Sequence, residues 1–305
     1  MPDTSELIRY LILGLAFGAV YAVSGTGLVV LYRTTGVLNF AFGAIGAFGA
    51  HIAWSLGKDG AGLLGLHANR WVTYLVCILV CTLITFAYGR FVAPAFAQRD
   101  PLTRALGTLS MLLLILGVMF WRWRTQDARF LELPTKKYKF HIGKTIVNGT
   151  QVSAMLFGVV VTIGVLAFLK RSSLGTAMRA VANDRDIAAL LGVPVRRVES
   201  IAWMANGAIC GFVALLLSEM FRLDAAGLTF FIIPALAAAI VGRLLNLWTT
   251  LIAGFGIGVI EAELAGFDYK WITDNRTMTP FVVAIAAMLW FGRKRTIVLS
   301  GRAMQ

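Results

Sequence analysis

Charged residues are scarce in this sequence, and that scarcity indicates its class. Asp, Glu, Lys and Arg make up 14% of the 305 residues, whereas 58% are hydrophobic. An ordinary soluble domain has charges on roughly a quarter of its residues. Many apolar runs approach about 20 residues, the length of a helix that crosses a bilayer. Because these runs do not alternate with period two, they favour transmembrane helices over the strands of a membrane barrel.

The side-chain combinations that catalysis requires are also missing. The apolar runs contain no Ser/His/Asp set, no His-Glu-x-x-His motif and no paired carboxylates. The chain has no Gly-x-x-x-x-Gly-Lys-Ser/Thr motif, which P-loop ATPases use to hold the phosphates of ATP. Cys77 and Cys81 share a helix face, but no His or carboxylate joins them, so we interpret them as packing residues. We therefore expect no enzyme, no metal site and no bound cofactor.

The basic excess is the one strong charge signal. A net charge of +13 would indicate nucleic acid as a partner of a soluble protein. Here the basic residues flank apolar runs, where they are expected to face lipid headgroups or the cytoplasm. We expect membrane lipids as partners and no nucleic acid.

The apolar runs predict an all-α, polytopic transmembrane bundle of about eight or nine spans, forming a single domain over residues 1–305. The second and seventh runs are short and rich in Gly or Ala, which favours broken or re-entrant helices. The predicted spans cover residues 7–31, 37–56, 72–93, 103–121, 151–169, 199–220, 226–242, 247–264 and 278–292.

Orientation rests on the basic residues that flank the spans. Lys and Arg divide almost evenly between the two sides of the membrane, so the positive-inside rule barely favours one orientation of the spans over the other. The basic cluster 293–295 favours a cytoplasmic C-terminus, and nine spans then place the N-terminus in the periplasm. This orientation makes residues 121–150 a periplasmic loop, with two short strands or a surface loop near its end. It makes residues 170–198 cytoplasmic.

The polar segment 170–198 has the signals of a helical hairpin. A serine pair at 172–173 can cap a first helix, and Asn183-Asp184 allows a break and a second cap. Gly192 then ends the second helix, and Pro194, two residues later, prevents the helix from continuing. Ile187, Ala188 and Leu191 form an apolar stripe on that second helix. Such a short helix suits docking into a groove of another protein, although a solvated linker between two spans would also fit.

This segment carries a resemblance to a known family. "LGTAMRAVANDRDIAALLGVPVRRVESIAW" resembles the cytoplasmic coupling segment of branched-chain amino acid ABC importer permeases, of the LivH type. The N-terminal "GLAFGAVYAVSGTGLVVLYRTTGVLNFAFGAIGAFGA" and the late "PALAAAIVGRLLNLWTTLIAGFGIGVIEA" are similar to the same family in one colinear register. The matching coupling residues are Gly175, Arg179, Ala180, Asp184, Ala188 and Gly192, and Ile187 and Leu191 complete the predicted coupling surface.

The resemblance implies a mechanism and a set of partners. Two permease subunits, the second expected to be a paralogue, would form the pathway in a bacterial inner membrane. Two cytoplasmic ATPase subunits would consume ATP, and a periplasmic solute-binding protein would deliver a branched-chain amino acid or related small solute. Force from the ATPases would enter through the coupling segment and switch the access of the pathway.

Asn39 is the best polar candidate for the pathway, because charged residues are rare within the spans. It lies early in a glycine-rich run that predicts a broken helix, next to Phe40, Phe42 and Gly43. Its amide could contact solute, or it could form a hydrogen bond between helices. The family often has His where this chain has Phe42, which leaves the solute open.

Small residues are spaced for close helix packing. Gly14 and Gly18 form a small-xxx-small pair, and Gly254, Gly256 and Gly258 crowd one short stretch. These residues predict a tight bundle and do not discriminate among transport functions.

The alternative function is a stand-alone secondary transporter or channel. No chain of buried carboxylates or histidines in the sequence supports the ion path that it would need.

Overall fold

The computed structural model describes residues 4–57, 68–123, 130–131, 133–142, 145–266 and 270–302. In chain order the helices are α1 (Thr4–Thr35), α2 (Phe42–Leu56), α3 (Arg70–Ala87), α4 (Ala93–Phe96), α5 (Pro101–Arg122), α6 (Gly149–Arg171), α7 (Ser173–Asn183), α8 (Arg185–Leu190), α9 (Val195–Met220), α10 (Ala225–Phe230), α11 (Ile232–Val241), α12 (Leu247–Leu264), α13 (Lys270–Asn275) and α14 (Thr279–Arg302). Two strands, β1 (Lys139–Ile142) and β2 (Thr145–Asn148), form an antiparallel hairpin.

The predicted helical membrane bundle is confirmed. Within the described residues, six helices are long and apolar enough to cross a membrane. Three shorter apolar helices, at 42–56, 225–241 and 276–291, fall on the remaining predicted spans. Length and composition therefore give six spans, fewer than the predicted eight or nine.

Helix α1 is the centre of the bundle. In an 18-residue apolar stretch of this helix, 78% of the residues are buried. The surrounding helices are α6, α9, α11 and α12. It meets α12 through glycines: a Cβ added at Gly14 or Gly18 would lie 2.6 Å from the Cα of Val259 or Phe255. Since real Cβ atoms do not approach backbone so closely, the contact requires glycine. Gly256 has open space, so it takes no part in this packing.

The seventh predicted span is interrupted, as its Gly and Ala content suggested, whereas the second contains one continuous helix, α2, after a non-helical start. Helix α1 ends just before Gly36, whose φ is +67°, and α2 begins at Phe42 after a short non-helical turn. The seventh predicted span breaks at Phe231, between α10 and α11. A π-helical turn at Tyr88–Val92 joins α3 to α4 and places Gly89 directly against the ring of Trp203.

The β-hairpin and the α7–α8 pair lie at opposite ends of the bundle. The backbone N–H of Leu131 donates to the carbonyl of Ser218, near the end of α9. The hydroxyl of Thr150 donates to Oε1 of Glu219 at 2.6 Å and also bonds Thr135. These contacts fasten the described part of the loop to the ends of α6 and α9, whereas α7 and α8 lie between the other ends of these two helices.

Candidate functional site: a capped helical hairpin and a buried asparagine pair

Helix α7 turns back sharply against the end of α6. The Ser172 hydroxyl accepts a hydrogen bond from the N–H of Gly175 at 2.8 Å, so the first of the two serines is the cap. A Cβ at Gly175 would lie 2.6 Å from the Cα of Leu169. Glycine is therefore required for the tight turn that fixes the predicted coupling segment to the bundle.

Helix α8 begins and ends where the sequence predicts. The carboxylate of Asp184 accepts hydrogen bonds from the N–H groups of Asp186 and Ile187 at 3.0 and 2.9 Å. Gly192 has φ +82°, and the N–H of Val193 returns to the carbonyl of Ala188 at 3.0 Å. This is a Schellman termination, in which a left-handed residue closes the helix.

The exposed face of α8 differs from the predicted stripe by one residue. Leu190 and Leu191 are 87% and 78% exposed, and Ile187 is 55% exposed. Ala188 is only 2% exposed and packs inward against the bundle. Helix α8 and its C-cap residue Leu191 thus present three large aliphatic side chains outward, and the small Ala188 is the anchor.

The arginines of the segment are held by different partners. Arg179 is exposed and its Nη2 donates to the hydroxyl of Thr176 at 3.1 Å. Arg185 forms an ion pair with Glu199 of α9 at 2.8 Å. The hydrogen bond to Glu199 raises the pKa of Arg185 above its usual range. This ion pair connects α8 to a central helix, and half-buried Ala180 packs α7 against the same core.

Asn39 is buried in the turn before α2 and bonds to a second asparagine. Its Nδ2 donates to Oδ1 of Asn206 on α9 at 2.8 Å, and its own Oδ1 accepts from the N–H of Ala41. The Nδ2 of Asn206 is buried and has no hydrogen-bond partner among the described residues. A donor without a partner in a membrane interior is costly, which marks this pair as unusual.

The neighbours of Asn39 fix the shape of this turn. The hydroxyl of Thr108 on α5 donates to the carbonyl of Leu38 and accepts from the N–H of Phe40. Gly43 meets the carbonyl of Thr229, so any Cβ there would collide with α10. The carbonyl of Phe42 accepts from the thiol of Cys210 at 2.9 Å.

A narrow apolar slot of about 20 Å³ opens beside this turn. Its walls are α2 from Phe42 to Ala47, α9 from Cys210 to Leu217, and the break between α10 and α11. Asn206 lies one turn before Cys210, and Asn39 three residues before Phe42. The asparagines do not line the slot, which begins about one helical turn from them and extends toward the hairpin end of the bundle.

Comparison with known proteins identifies the family. A sequence model described as "Branched-chain amino acid transport system / permease component" matches residues 10–291. The chain belongs to this permease family. It is 26% identical over 287 residues to the high-affinity branched-chain amino acid transport system permease protein BraD of Pseudomonas aeruginosa, covering 88% of the chain and 91% of BraD.

Two further relatives are named as branched-chain amino acid permeases, and one solved structure shares the fold. The permease is 27% identical over 277 residues to the probable branched-chain amino acid transport permease protein LivH of Methanocaldococcus jannaschii, covering 86% and 84% of the two chains. It is 22% identical over 284 residues to LivH of Salmonella typhimurium, and the match covers 90% of this chain and 91% of that LivH. A chain in the structure of PsaBC from Streptococcus pneumoniae in complex with Fab has a similar fold, with a TM-score of 0.50 and 13% sequence identity. The superposition covers 94% of this chain and 92% of that chain. Membership in the family confirms the predicted permease function.

Glu219, Glu261 and His51 are three further polar residues within predicted spans, and each has a hydrogen-bond partner in the protein. The hydroxyl of Tyr21 on α1 donates to Glu261 at 2.8 Å, and Glu219 accepts from Thr150, so both carboxylates connect helices. His51 is 2% exposed, and its Nδ1 lies 2.7 Å from the carbonyl of Ala47. His51 is thus enclosed by protein.

We expect the Asp184 cap to control the order of α8. Asp184→Ala removes the acceptor of two N–H groups and should destabilise α8 by about 1 kcal/mol, the usual cost of losing a cap. Hydrogen exchange measured by mass spectrometry should show faster exchange at residues 185–190 and unchanged exchange in α9. Asp184→Asn, which keeps an acceptor, is the control, and equal exchange in both variants would contradict a capping role.

Proposed function

We propose that this permease forms the membrane pathway of an ABC importer for branched-chain amino acids in the bacterial inner membrane. It would pair with a paralogous permease, two cytoplasmic ATPase subunits and a periplasmic solute-binding protein. The shared family and the names of the relatives, which specify branched-chain amino acid transport, support this solute class. The three shorter apolar helices would complete nine passes, with a periplasmic N-terminus and a cytoplasmic C-terminus.

The exposed face of α8 carries this proposal. Leu190, the last residue of α8, and Leu191, its C-cap, project outward from a short helix that Ala188 anchors to the bundle. Large aliphatic side chains with so much exposed area indicate a surface that is covered in an assembly. A groove in the ATPase subunit would receive them, in the manner of an amphipathic helix in a hydrophobic groove.

The slot and the asparagine pair supply the pathway. The slot is lined by aliphatic and aromatic side chains, glycine and one thiol, which suits an aliphatic side chain and offers no partner for a charged one. In this conformation the slot has room for about one water molecule, so a solute would require it to widen. The asparagine pair lies about one helical turn beyond the inner end of the slot, where the free amide donor of Asn206 would bind the carboxylate of an amino acid once the slot widens.

Movement of α8 has a short route to this pathway. Helix α7 contacts the end of α1, which leads directly into the turn that holds Asn39. Helix α8 is tied to α9 by the Arg185–Glu199 ion pair, and α9 carries Asn206. A push on α8 would therefore reach both asparagines through rigid helices, and their separation would open the inner end.

We expect Leu190→Glu combined with Leu191→Glu to abolish binding of the ATPase subunits. Two charges on the docking face would be buried without partners, which costs several kcal/mol and lowers affinity at least about 100-fold. Copurification of the permease with its ATPase subunits, followed by an affinity measurement on purified components, tests this expectation.

Leu245→Glu provides the matched control. Leu245 is 58% exposed at the same end of the bundle and lies outside α8, so this variant should keep its ATPase subunits. Equal ATPase binding by the double variant and the wild type would contradict docking through α8. Solute uptake by the permease alone in proteoliposomes would favour the stand-alone transporter instead.

A further inference from the structure

A cleft lined by four arginines opens at the α8 end of the bundle. It has a volume of about 480 Å³ and lies between the end of α1, the start of α5 and the α7–α8 junction. Its arginines are Arg33, Arg104, Arg179 and Arg185, and its other polar lining comes from Tyr32, Thr34, Thr35 and Asn183. The described lining contains no Asp or Glu side chain.

Three of these guanidinium groups lack a carboxylate partner within the described part of the chain. Only Arg185 forms an ion pair among the described residues, with Glu199. Arg33 donates one bond to the carbonyl of Leu245, and Arg179 donates one to Thr176. The Nε of Arg104 is buried and has no hydrogen-bond partner in the described chain. The nearby carboxylate of Asp184 already accepts two N–H groups of α8.

The cleft lies at the depth of lipid headgroups. Arg104 is in the first turn of the membrane-spanning helix α5, between Leu102 and Leu106, which are 68% and 49% exposed. These leucines begin the apolar outer surface of that helix, so Arg104 lies where hydrocarbon gives way to headgroups. Arg33 occupies the last turn of α1 at the same end. A partner protein would have to reach down to this level, whereas lipid phosphates are already there.

We propose that this cleft binds the phosphate of an anionic phospholipid from the leaflet that faces the coupling segment. Arginine forks match phosphate oxygens in geometry and charge, and basic pockets between transmembrane helices on the cytoplasmic side are suited to anionic headgroups. One wall of the cleft is α7 and the other is α1 with α5. A bound headgroup therefore ties the coupling segment to the two helices that hold the Asn39 turn.

Lipid binding to the purified permease tests this site without any partner subunit. Native mass spectrometry in detergent would count bound phosphatidylglycerol and phosphatidylcholine on the wild type and on Arg104→Gln combined with Arg179→Gln. We expect the wild type to prefer phosphatidylglycerol and the double variant to bind it at least about tenfold more weakly, since two phosphate contacts are lost. Lys170→Gln combined with Arg171→Gln removes the same charge from exposed positions at the same end and should retain the preference.

Four outcomes would overturn the proposal. The wild type could bind both lipids equally, or the control variant could lose phosphatidylglycerol as fully as the cleft variant. Thermal stabilisation of the wild type by millimolar inorganic phosphate, without any preference for phosphatidylglycerol, would assign the cleft to a soluble anion. Loss of ATPase binding by the cleft variant in lipid-free detergent, with lipid binding intact, would assign it to an acidic surface of the ATPase. Circular dichroism and elution volume establish that each variant is folded.

Discussion

Gly258→Leu is expected to prevent the permease from folding into a stable bundle. A Cβ at this position would lie 2.5 Å from the carbonyl oxygen of Gly14 and would collide with the backbone of Gly18. Overpacking of a core typically costs 1–3 kcal/mol, and here the obstacle is the backbone of α1, which no side-chain rotation can relieve. We therefore expect a loss of about 3 kcal/mol or more. The measurement is the yield of monodisperse protein in detergent and its thermal unfolding midpoint.

Gly256→Leu is the matched control for that variant. Gly256 lies two residues away on α12, and a Cβ there would meet nothing within 4 Å. Its replacement should leave the unfolding midpoint unchanged or raise it slightly, because glycine is a poor helix former. Equal loss in both variants would show that leucine is harmful anywhere in α12, and the close α1–α12 contact would then not be the cause.

This contact also shows how far sequence reasoning reaches. Gly14, Gly18, Gly254 and Gly258 could be predicted as packing residues, because small residues at helical spacing permit close approach. The sequence could not predict that α1 packs on α12, because partners so distant in the chain leave no periodic signal. For the same reason it could not separate Gly256, which faces open space, from its neighbours.

Local signals proved the most reliable. Residues 247–264 were predicted as a span and form α12 with the same bounds. The break at Asp184 and the end at Gly192 follow from capping chemistry, which depends on a few adjacent residues. Leu190 was missed as part of the exposed face, because a six-residue helix is too short for periodicity to define which side faces the bundle.

Asn206 is the proposed pathway residue that the sequence did not indicate. It is a single asparagine in a long apolar helix, and only its distance of 2.8 Å from Asn39 distinguishes it. Neither a transmembrane pattern nor a capping pattern reports a contact between residues 167 positions apart. The sequence left open whether Asn39 contacts solute or another helix. The structure pairs it with α9 and adds a donor without a partner beside it.

Asn206→Leu is expected to reduce transport far more than it reduces stability. Hydrogen bonds between membrane helices contribute about 0.6–1.7 kcal/mol, so the unfolding midpoint should fall only modestly. If the free Nδ2 of Asn206 binds the carboxylate of the solute, its loss removes a hydrogen bond to a charged group. Such bonds contribute about 1.5–3 kcal/mol, which corresponds to a roughly ten- to hundredfold loss of uptake. Proteoliposomes containing the assembled importer give the uptake rate.

Thr26→Val separates solute binding from helix packing. The hydroxyls of Thr26 and Thr162 form another buried bond between helices, at 3.3 Å, and neither residue borders the apolar slot. This variant removes an interhelical bond while keeping side-chain volume, so its uptake should fall only in proportion to the folded fraction. If the uptake of Asn206→Leu also falls only in proportion to its folded fraction, the asparagine pair holds α9 against the Asn39 turn and does not contact solute. If uptake falls well below that proportion, the pair belongs to the pathway.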